Sequence, residues 1–223
     1  MLTAAMKILD VPQSGSQAGT TSSRNRYGQY RRTRATPVNP NTTAQGAVRA
    51  RMAANAAAWR TLTDAQRAGW SDLAASISRT DALGQTYTLN GFSAYCSVNN
   101  NNVAAGNATV SAAPAVVTPS ALLTAAITLT AAALSVAYTV TPLGAGARLF
   151  SYVSPQRSAG RNFEGDFRLL AVSAAAAASP ANLYAAYVAK FGVPVVGNRI
   201  FFSFQVYTGG FLSGPLVTSA VVA

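Results

Sequence analysis

A cluster of arginines and tyrosines near the N-terminus holds the side chains of this sequence that are best suited to binding chemistry. The cluster consists of Arg24, Arg26, Tyr27, Tyr30, Arg31, Arg32 and Arg34. Guanidinium groups make planar, multi-point contacts with phosphate or carboxylate groups, and tyrosine rings stack on bases or pack against protein. Residues 20–60 contain eight arginines and no acidic residue, so the cluster predicts an acidic or grooved partner outside the chain.

Three interpretations of the basic arm, residues 1–41, are open from the residues alone. The arm docks onto other protein subunits, binds nucleic acid through phosphate contacts and stacking, or is a solvated, disordered tail. Up to Asn41 it has no aliphatic periodicity with which to fold onto its own core. We therefore expect a partner to order the arm, and its Tyr, Arg and Pro content favours a protein surface.

The composition leaves few groups for catalysis. The sequence has no histidine and one cysteine, Cys96, which excludes Ser-His-Asp and Cys-His nucleophiles, His-ligated zinc and internal disulfides. Phosphate-binding loops, Cys-x-x-Cys pairs and Gly-x-Ser-x-Gly elbows are also absent from the sequence. We predict a protein that is not an enzyme, with no cofactor and no metal site.

Glu164 and Asp166 form the only close acidic pair outside the helical part of the sequence. On a strand their side chains would share one face and could bind a cation or act as the carboxylates of a glycosidase-like site. Arg161 and Arg168 flank the pair. These neighbours favour a salt-bridged loop or strand end over a catalytic site.

Charge and composition divide the sequence into a basic end and a nearly neutral body. Of the net charge of +11 on 223 residues, +8 falls on residues 1–80. We predict an α+β protein whose last segment folds alone. The predicted segments are an extended basic N-terminal arm (1–41), a small helical region (42–105), a linker (106–120) and a C-terminal antiparallel β-sandwich (121–223).

Capping signals place the starts of three helices. Thr42 or Thr43 can cap a first helix that runs to about residue 60. Thr63-Asp64-Ala65-Gln66 matches a capping box for the second, and Asn90 can cap a short third helix over 91–103. The tight connection between the first two helices predicts a hairpin. Trp59 and Trp70 are its candidate shared core or, alternatively, the anchors of an interface.

From residue 121 the apolar pattern changes to period two. The segment 121–140 is long enough to span a bilayer, but its alternation with Thr and Ser favours two half-buried strands over a transmembrane helix. Candidate strands are Leu122–Thr130, Leu134–Thr141, Ala147–Val153, Asp166–Ser173, Arg199–Tyr207 and Leu216–Val222. In the strand starting at Arg199, Phe202 and Phe204 should face the core and Phe201 the opposite side. A short helix with Pro180 in its first turn interrupts the series.

Three sequence blocks in a fixed order resemble a pattern of small phage and prophage structural proteins. The blocks are SSRNRYGQYRR, PVNPNTTAQGAVRARMAANAAAWRTLTDAQRAGWSDLA and LNGFSAY. The resemblance covers residues 20–95, and its Trp-x-x-Leu-Thr-x-x-Gln-Arg-x-x-Trp motif corresponds to Trp59, Leu62, Thr63, Gln66, Arg67 and Trp70. The C-terminal part is similar to immunoglobulin-like or fibronectin-type modules in strand rhythm alone. No functional residue carries over from the resemblance.

The resemblance implies a role in a virion that is made in the host cytoplasm. We expect a non-enzymatic structural protein of a phage-like particle, namely a capsid-associated auxiliary or decoration protein. Its arm would contact other virion subunits in homo-oligomeric or lattice contacts, with no membrane partner. The alternatives are a basic nucleic-acid-binding protein and a tail or neck component.

Overall fold

The structure, a computed structural model, describes residues 14–25, 28–80 and 84–223 and shows an α+β protein. The chain divides into two compact units, 1–47 and 48–223. The division lies six residues C-terminal to the predicted end of the arm at residue 41, inside the first helix.

The first unit contains a small antiparallel sheet. Its strands are β1 (Gly15–Gln17), β2 (Thr20–Asn25) and β3 (Gly28–Thr33), in the order β1-β2-β3. We call these three strands the Arg/Tyr meander. The sequence predicted an extended arm that a partner orders, because the segment lacks the apolar periodicity to fold onto its own core. The strands instead pair polar residues, as where Ser16 Oγ lies 2.9 Å from Thr21 Oγ1.

Helix α1 (Thr43–Thr61) begins at the predicted cap. The Thr42 N–H donates to Gln45 Oε1 at 3.2 Å, and the Gln45 N–H donates to Thr42 Oγ1 at 3.3 Å. This reciprocal pair satisfies two amide groups that have no partner inside the helix.

The second unit continues with helix α2 (Asp64–Ser76), strands β4 (Ser78–Thr80) and β5 (Thr86–Thr88), and helix α3 (Gly91–Ala104). Both predicted caps are confirmed: Thr63 and Gln66 form a complete capping box, and Asn90 Oδ1 accepts the Ser93 N–H at 2.7 Å. The helices share an apolar core built from Leu62, Trp70, Leu73, Ala74, Ala94, Tyr95, Cys96 and Val98.

The rest of the second unit consists of strands and one helix. They are β6 (Thr124–Leu129), β7 (Leu134–Thr139), β8 (Arg148–Val153), β9 (Arg168–Val172), β10 (Ala181–Asn182), α4 (Tyr184–Phe191), β11 (Arg199–Thr208), β12 (Phe211–Leu212) and β13 (Leu216–Val221). One antiparallel sheet has the order β10-β7-β6, and the other has β12-β11-β8-β9 with β13 also paired to β11. The predicted short helix is present, but it begins at Tyr184, and Pro180 lies before β10 rather than in its first turn.

The two sheets share one apolar core. Val136 and Tyr138 of β7 are buried together with Ile200, Phe202 and Phe204 of β11. The predicted inside face of β11 is therefore confirmed. The segment 121–140 forms β6 and β7 as predicted, and no described helix has both the length and the apolar character needed to cross a membrane.

The predicted β domain packs against the helical part of the second unit, and the second face of β11 is also covered. Phe201 and Tyr207 on that face are only 4% and 2% exposed. Phe150 and Tyr207 are buried with Ala105, at the end of α3. The predicted linker is fixed as well, since the Trp70 Nε1–H donates to Ser111 O at 2.8 Å. Residues 48–223 thus form one compact unit in place of a helical region, a linker and a separate β domain.

Candidate interaction surface on the Arg/Tyr meander

Most of the predicted binding side chains lie on the Arg/Tyr meander. Those that the structure describes are Arg24 on β2, Tyr30, Arg31 and Arg32 on β3, and Arg34 directly after β3. Arg26 and Tyr27 lie outside the described residues. All five of the described side chains are exposed.

One face of the meander carries Arg24 and Arg31. Arg24 lies opposite Gln29, and Arg31 is two positions further along β3, opposite Ser22. Side chains alternate between the faces of a sheet with period two, so Arg24, Gln29 and Arg31 point the same way. This face therefore presents two guanidinium groups as diagonal neighbours.

The other face carries Tyr30 and Arg32, which are two positions apart on β3. They lie opposite Ser23 and Thr21, whose hydroxyl groups share that face. Tyr30 is 38% exposed. An aromatic ring beside a guanidinium group can pack against a protein surface or stack on a base while the arginine binds an anion. The arginines are thus distributed over both faces of the meander.

The described side chains of the meander form no apolar core. None of the described side chains between residues 14 and 47 is buried. Small sheets without a packed apolar face are marginally stable in water, because few contacts offset the entropy lost on ordering the chain. The geometry therefore fits a surface that gains its stability from a partner.

The acidic pair Glu164 and Asp166 forms a structural clamp. Glu164 is buried, its Oε1 accepts the N–H groups of Gly165 and Asp166 at 2.9 Å each, and its Oε2 binds Arg157 Nε. These hydrogen bonds, led by the Asp166 N–H and followed by the Arg157 side chain, lower the pKa of Glu164 to about 2. Asp166 accepts two hydrogen bonds from Arg168, at 3.2 and 3.0 Å. A general acid needs a raised pKa, so this arrangement suits a salt-bridged loop, as the flanking arginines indicated.

Replacing Glu164 by glutamine should destabilise the second unit at neutral pH, and the effect should fade in acid. A carboxyl whose pKa is lower in the folded state stabilises that state above its unfolded pKa, and this contribution is lost as the pH falls toward the folded pKa. The stabilising effect of Glu164 should therefore be lost as the pH falls from the ordinary carboxyl pKa of 4.5 to the folded-state pKa of about 2. Denaturant unfolding of both proteins across this window measures the difference.

The matched control is Asp64→Asn. Asp64 pairs with Arg67 at 3.2 Å on the exposed face of α2, where an ion pair contributes little. A Glu164→Gln deficit that persists unchanged at about pH 2 would contradict the electrostatic account of the clamp.

The two tryptophans contribute unequally to the helical core. Trp70 is fully buried, whereas Trp59 is half-buried. Tyr95 of α3 contacts both rings, with centroid distances of 5.4 Å to Trp59 and 5.2 Å to Trp70. Trp70 is therefore a core residue and is inaccessible to a partner, while Trp59 closes the rim of the same core.

Sequence reasoning missed the role of the four consecutive asparagines of α3. Asn99 is fully buried, and its side chain exchanges two hydrogen bonds with the backbone of Val110, at 3.1 and 2.8 Å. The Asn101 Nδ2–H donates to Gly210 O at 2.8 Å, and Asn102 Oδ1 accepts the Tyr207 O–H at 2.7 Å. Successive helical side chains point about 100° apart. The asparagine run therefore bonds α3 to the segment at Val110, to the turn at Gly210 and to β11 at Tyr207. A search for apolar periodicity cannot detect such polar contacts.

A cleft of about 460 Å³ lies beside α3. Its polar lining includes Arg79, Ser97, Asn101 and Gln205, and Arg79 Nη2–H donates to Ser97 Oγ at 3.1 Å. Among the described residues that line it there is no carboxylate, so they form no acid–base pair. The cleft gives no support to a catalytic interpretation.

Comparison with protein-family models, with curated proteins and with solved structures finds no match to this chain. The function is therefore argued from the geometry alone.

Proposed function

We propose that this chain is a non-enzymatic structural protein of a phage-like particle, namely a capsid-associated auxiliary or decoration protein. The observation that supports the proposal most directly is the Arg/Tyr meander. It exposes arginines on both faces and a tyrosine on one, and buries none of the described side chains. Such a segment serves attachment better than catalysis, since its described residues include no carboxylate and form no core.

The distribution of the arginines favours protein subunits as the partners. Arg24 and Arg31 share one face, while Tyr30 and Arg32 share the other. A single flat surface can contact one of these faces only. A crevice between two neighbouring subunits contacts both, so that all the described arginines of the meander meet acceptor groups.

We further propose that the C-terminal sheets are a sandwich of the immunoglobulin-like or fibronectin type, which projects from the particle. Two antiparallel sheets that share one core support this assignment. In this arrangement the meander attaches the chain, and the second unit is the part displayed.

Nucleic-acid binding is the second candidate, and the face with Tyr30 and Arg32 favours it. A ring that stacks on a base beside a guanidinium group that binds phosphate is a common arrangement in single-strand binding. Affinity of this kind falls steeply with salt, because each phosphate contact releases counterions.

Replacing all five arm arginines, Arg24, Arg26, Arg31, Arg32 and Arg34, by alanine should abolish incorporation of the chain into particles. The loss follows because these guanidinium groups supply the attachment contacts. The measurement is the copy number of the chain in purified particles, by quantitative mass spectrometry. The matched control replaces the exposed Arg49 and Arg60 of α1, which lie outside the arm, and should be incorporated normally.

Two results would reject the attachment proposal. One is full incorporation of the variant without arm arginines. The other is binding of DNA or RNA by the intact chain with a Kd tighter than about 1 µM at physiological salt, which exceeds the usual non-specific range. The second result would establish the nucleic-acid candidate instead.

A further inference from the structure

A group of exposed apolar side chains surrounds Arg199 at the start of β11. We call this surface the Arg199 end. Its apolar members are Phe163, Val193, Val195, Val196 and Val221. Phe163 is 78% exposed and Val196 is 65% exposed. All of them belong to the second unit, so the Arg199 end is distinct from the Arg/Tyr meander.

Hydrogen bonds and strand pairing bring these residues together. The Arg199 Nη1–H groups donate to Arg161 O at 3.0 Å and to Asn162 Oδ1 at 3.2 Å, next to Phe163. Val221 is the direct strand partner of Arg199. The valine loop, 193–196, lies immediately before β11. The loop that carries Phe163, the valine loop and the C-terminal end of β13 therefore all lie next to Arg199.

The valine loop is fixed in position although its valines are exposed. The Gln156 Nε2–H donates to Val193 O at 2.8 Å, and Gln156 Oε1 accepts the Val195 N–H at 2.9 Å. Pro194 is buried between the exposed valines. A loop held in this way presents its apolar side chains in a preset arrangement, which lowers the entropy cost of binding.

The loop that carries Phe163 is fixed by the carboxylate clamp. The Arg161 Nε–H donates to Phe163 O at 2.7 Å, and Arg161 Nη2 lies 3.5 Å from Glu164 Oε1. The contacts of Arg161 with Glu164 and with Phe163 O thus fix the backbone at Phe163, while the Phe163 ring is exposed to solvent. Exposed apolar groups that lie together on an ordered backbone are typical of contact surfaces.

The charge around this surface identifies the chemistry of its partner. The nearby cations are Arg157, Arg161, Arg168 and Arg199, and the nearby carboxylates are Glu164 and Asp166. Two positive charges are left in excess. A second copy of this chain is a poor partner, because it has only six acidic residues against seventeen basic ones.

We propose that the Arg199 end is a docking surface for an acidic patch on a different protein, with Phe163 and the valine loop as apolar anchors inside an arginine rim. An ordered surface of preset shape suits a protein better than a fluid lipid headgroup region. The apolar anchors likewise suit a protein better than nucleic acid, which offers them little to pack against. This contact is independent of the attachment that the meander provides.

Site-specific photo-cross-linking tests the proposal in the cells that naturally produce the chain. Phe163 is replaced by p-benzoylphenylalanine in the full chain, and cross-linked peptides are sequenced by mass spectrometry. We expect one adduct, to an Asp/Glu-rich peptide of another protein. Val195→Ser with Val196→Ser should reduce its yield at least about tenfold, which corresponds to about 1.4 kcal/mol of binding.

The control places the same photo-reactive residue at Leu123, which is 71% exposed elsewhere on the second unit. It should not give that adduct, and the valine variants should keep the unfolding midpoint of the parent chain. An adduct with a second copy, with lipid or with nucleic acid overturns the proposal, as does a partner peptide without excess acid or the absence of any adduct. None of these results bears on particle incorporation through the arm, so the two proposals fail separately.

Discussion

Replacing Phe202 by alanine is expected to cost about 3–5 kcal/mol of unfolding free energy, the usual cost of deleting a buried aromatic ring. Phe202 is fully buried in the core shared by the two sheets, and its ring stacks on Phe204 with centroids 6.1 Å apart. A typical domain has about 5–15 kcal/mol of stability, so at the lower end of this range the variant should be close to unfolded. Urea unfolding of the intact chain, followed by tryptophan fluorescence, measures the change.

Phe201→Ala is the matched comparison. Phe201 lies one residue away, on the other face of β11, and belongs to none of the described hydrophobic clusters. The sequence predicted a much smaller cost there than at Phe202. Because the structure buries Phe201, we expect a measurable loss that is still smaller than that of Phe202→Ala. A larger loss at Phe201 than at Phe202 would show that the core of the second unit is misassigned.

Trp70→Ala should be comparably destabilising, at about 3–5 kcal/mol. The substitution empties the centre of the helical core and leaves Ser111 O without the indole N–H that it accepts at 2.8 Å. Trp70→Phe keeps an aromatic ring but removes the N–H donor together with part of the ring volume, so its loss is an upper bound on the cost of the missing hydrogen bond. The loss of that hydrogen bond alone should cost about 1–3 kcal/mol.

Trp59→Ala is the control for position. Its ring packs at the rim against Phe92 and Tyr95, at centroid distances of 5.7 and 5.4 Å, and stays half-buried. It should cost clearly less than Trp70→Ala when both are measured by thermal unfolding. Equal losses would mean that the two tryptophans contribute as one unit.

Local signals in the sequence predicted most of the elements of the second unit. A hydroxyl at Thr63 with Gln66 three residues later predicts a helix start, because both groups act within one turn. Alternation along Arg199–Tyr207 predicts β11 and its inward face, because the period of a strand fixes which side chains share a side. These signals depend on residues that are close in sequence, so one chain is enough to interpret them.

The remaining features depend on contacts between distant residues. Nothing local shows that Asn99 bonds to Val110 or that the end of α3 packs with Tyr207 of β11. The meander escaped prediction for a different reason, since its strands contain Thr, Ser and Arg in place of alternating apolar residues. In the candidate site, the residue types were evident from the sequence. Their distribution over two faces required the register of β2 and β3.

The bond between Asn102 and Tyr207 joins residues 105 positions apart, and this distance orders events on the ribosome. At about 5–20 residues per second, Tyr207 is synthesised roughly 5–20 s after Asn102. The side of α3 that will face the end of β11 carries the amide groups of Asn101 and Asn102 next to Val98. The two asparagines thus make that side more polar at a stage when a fully apolar side would be prone to aggregation.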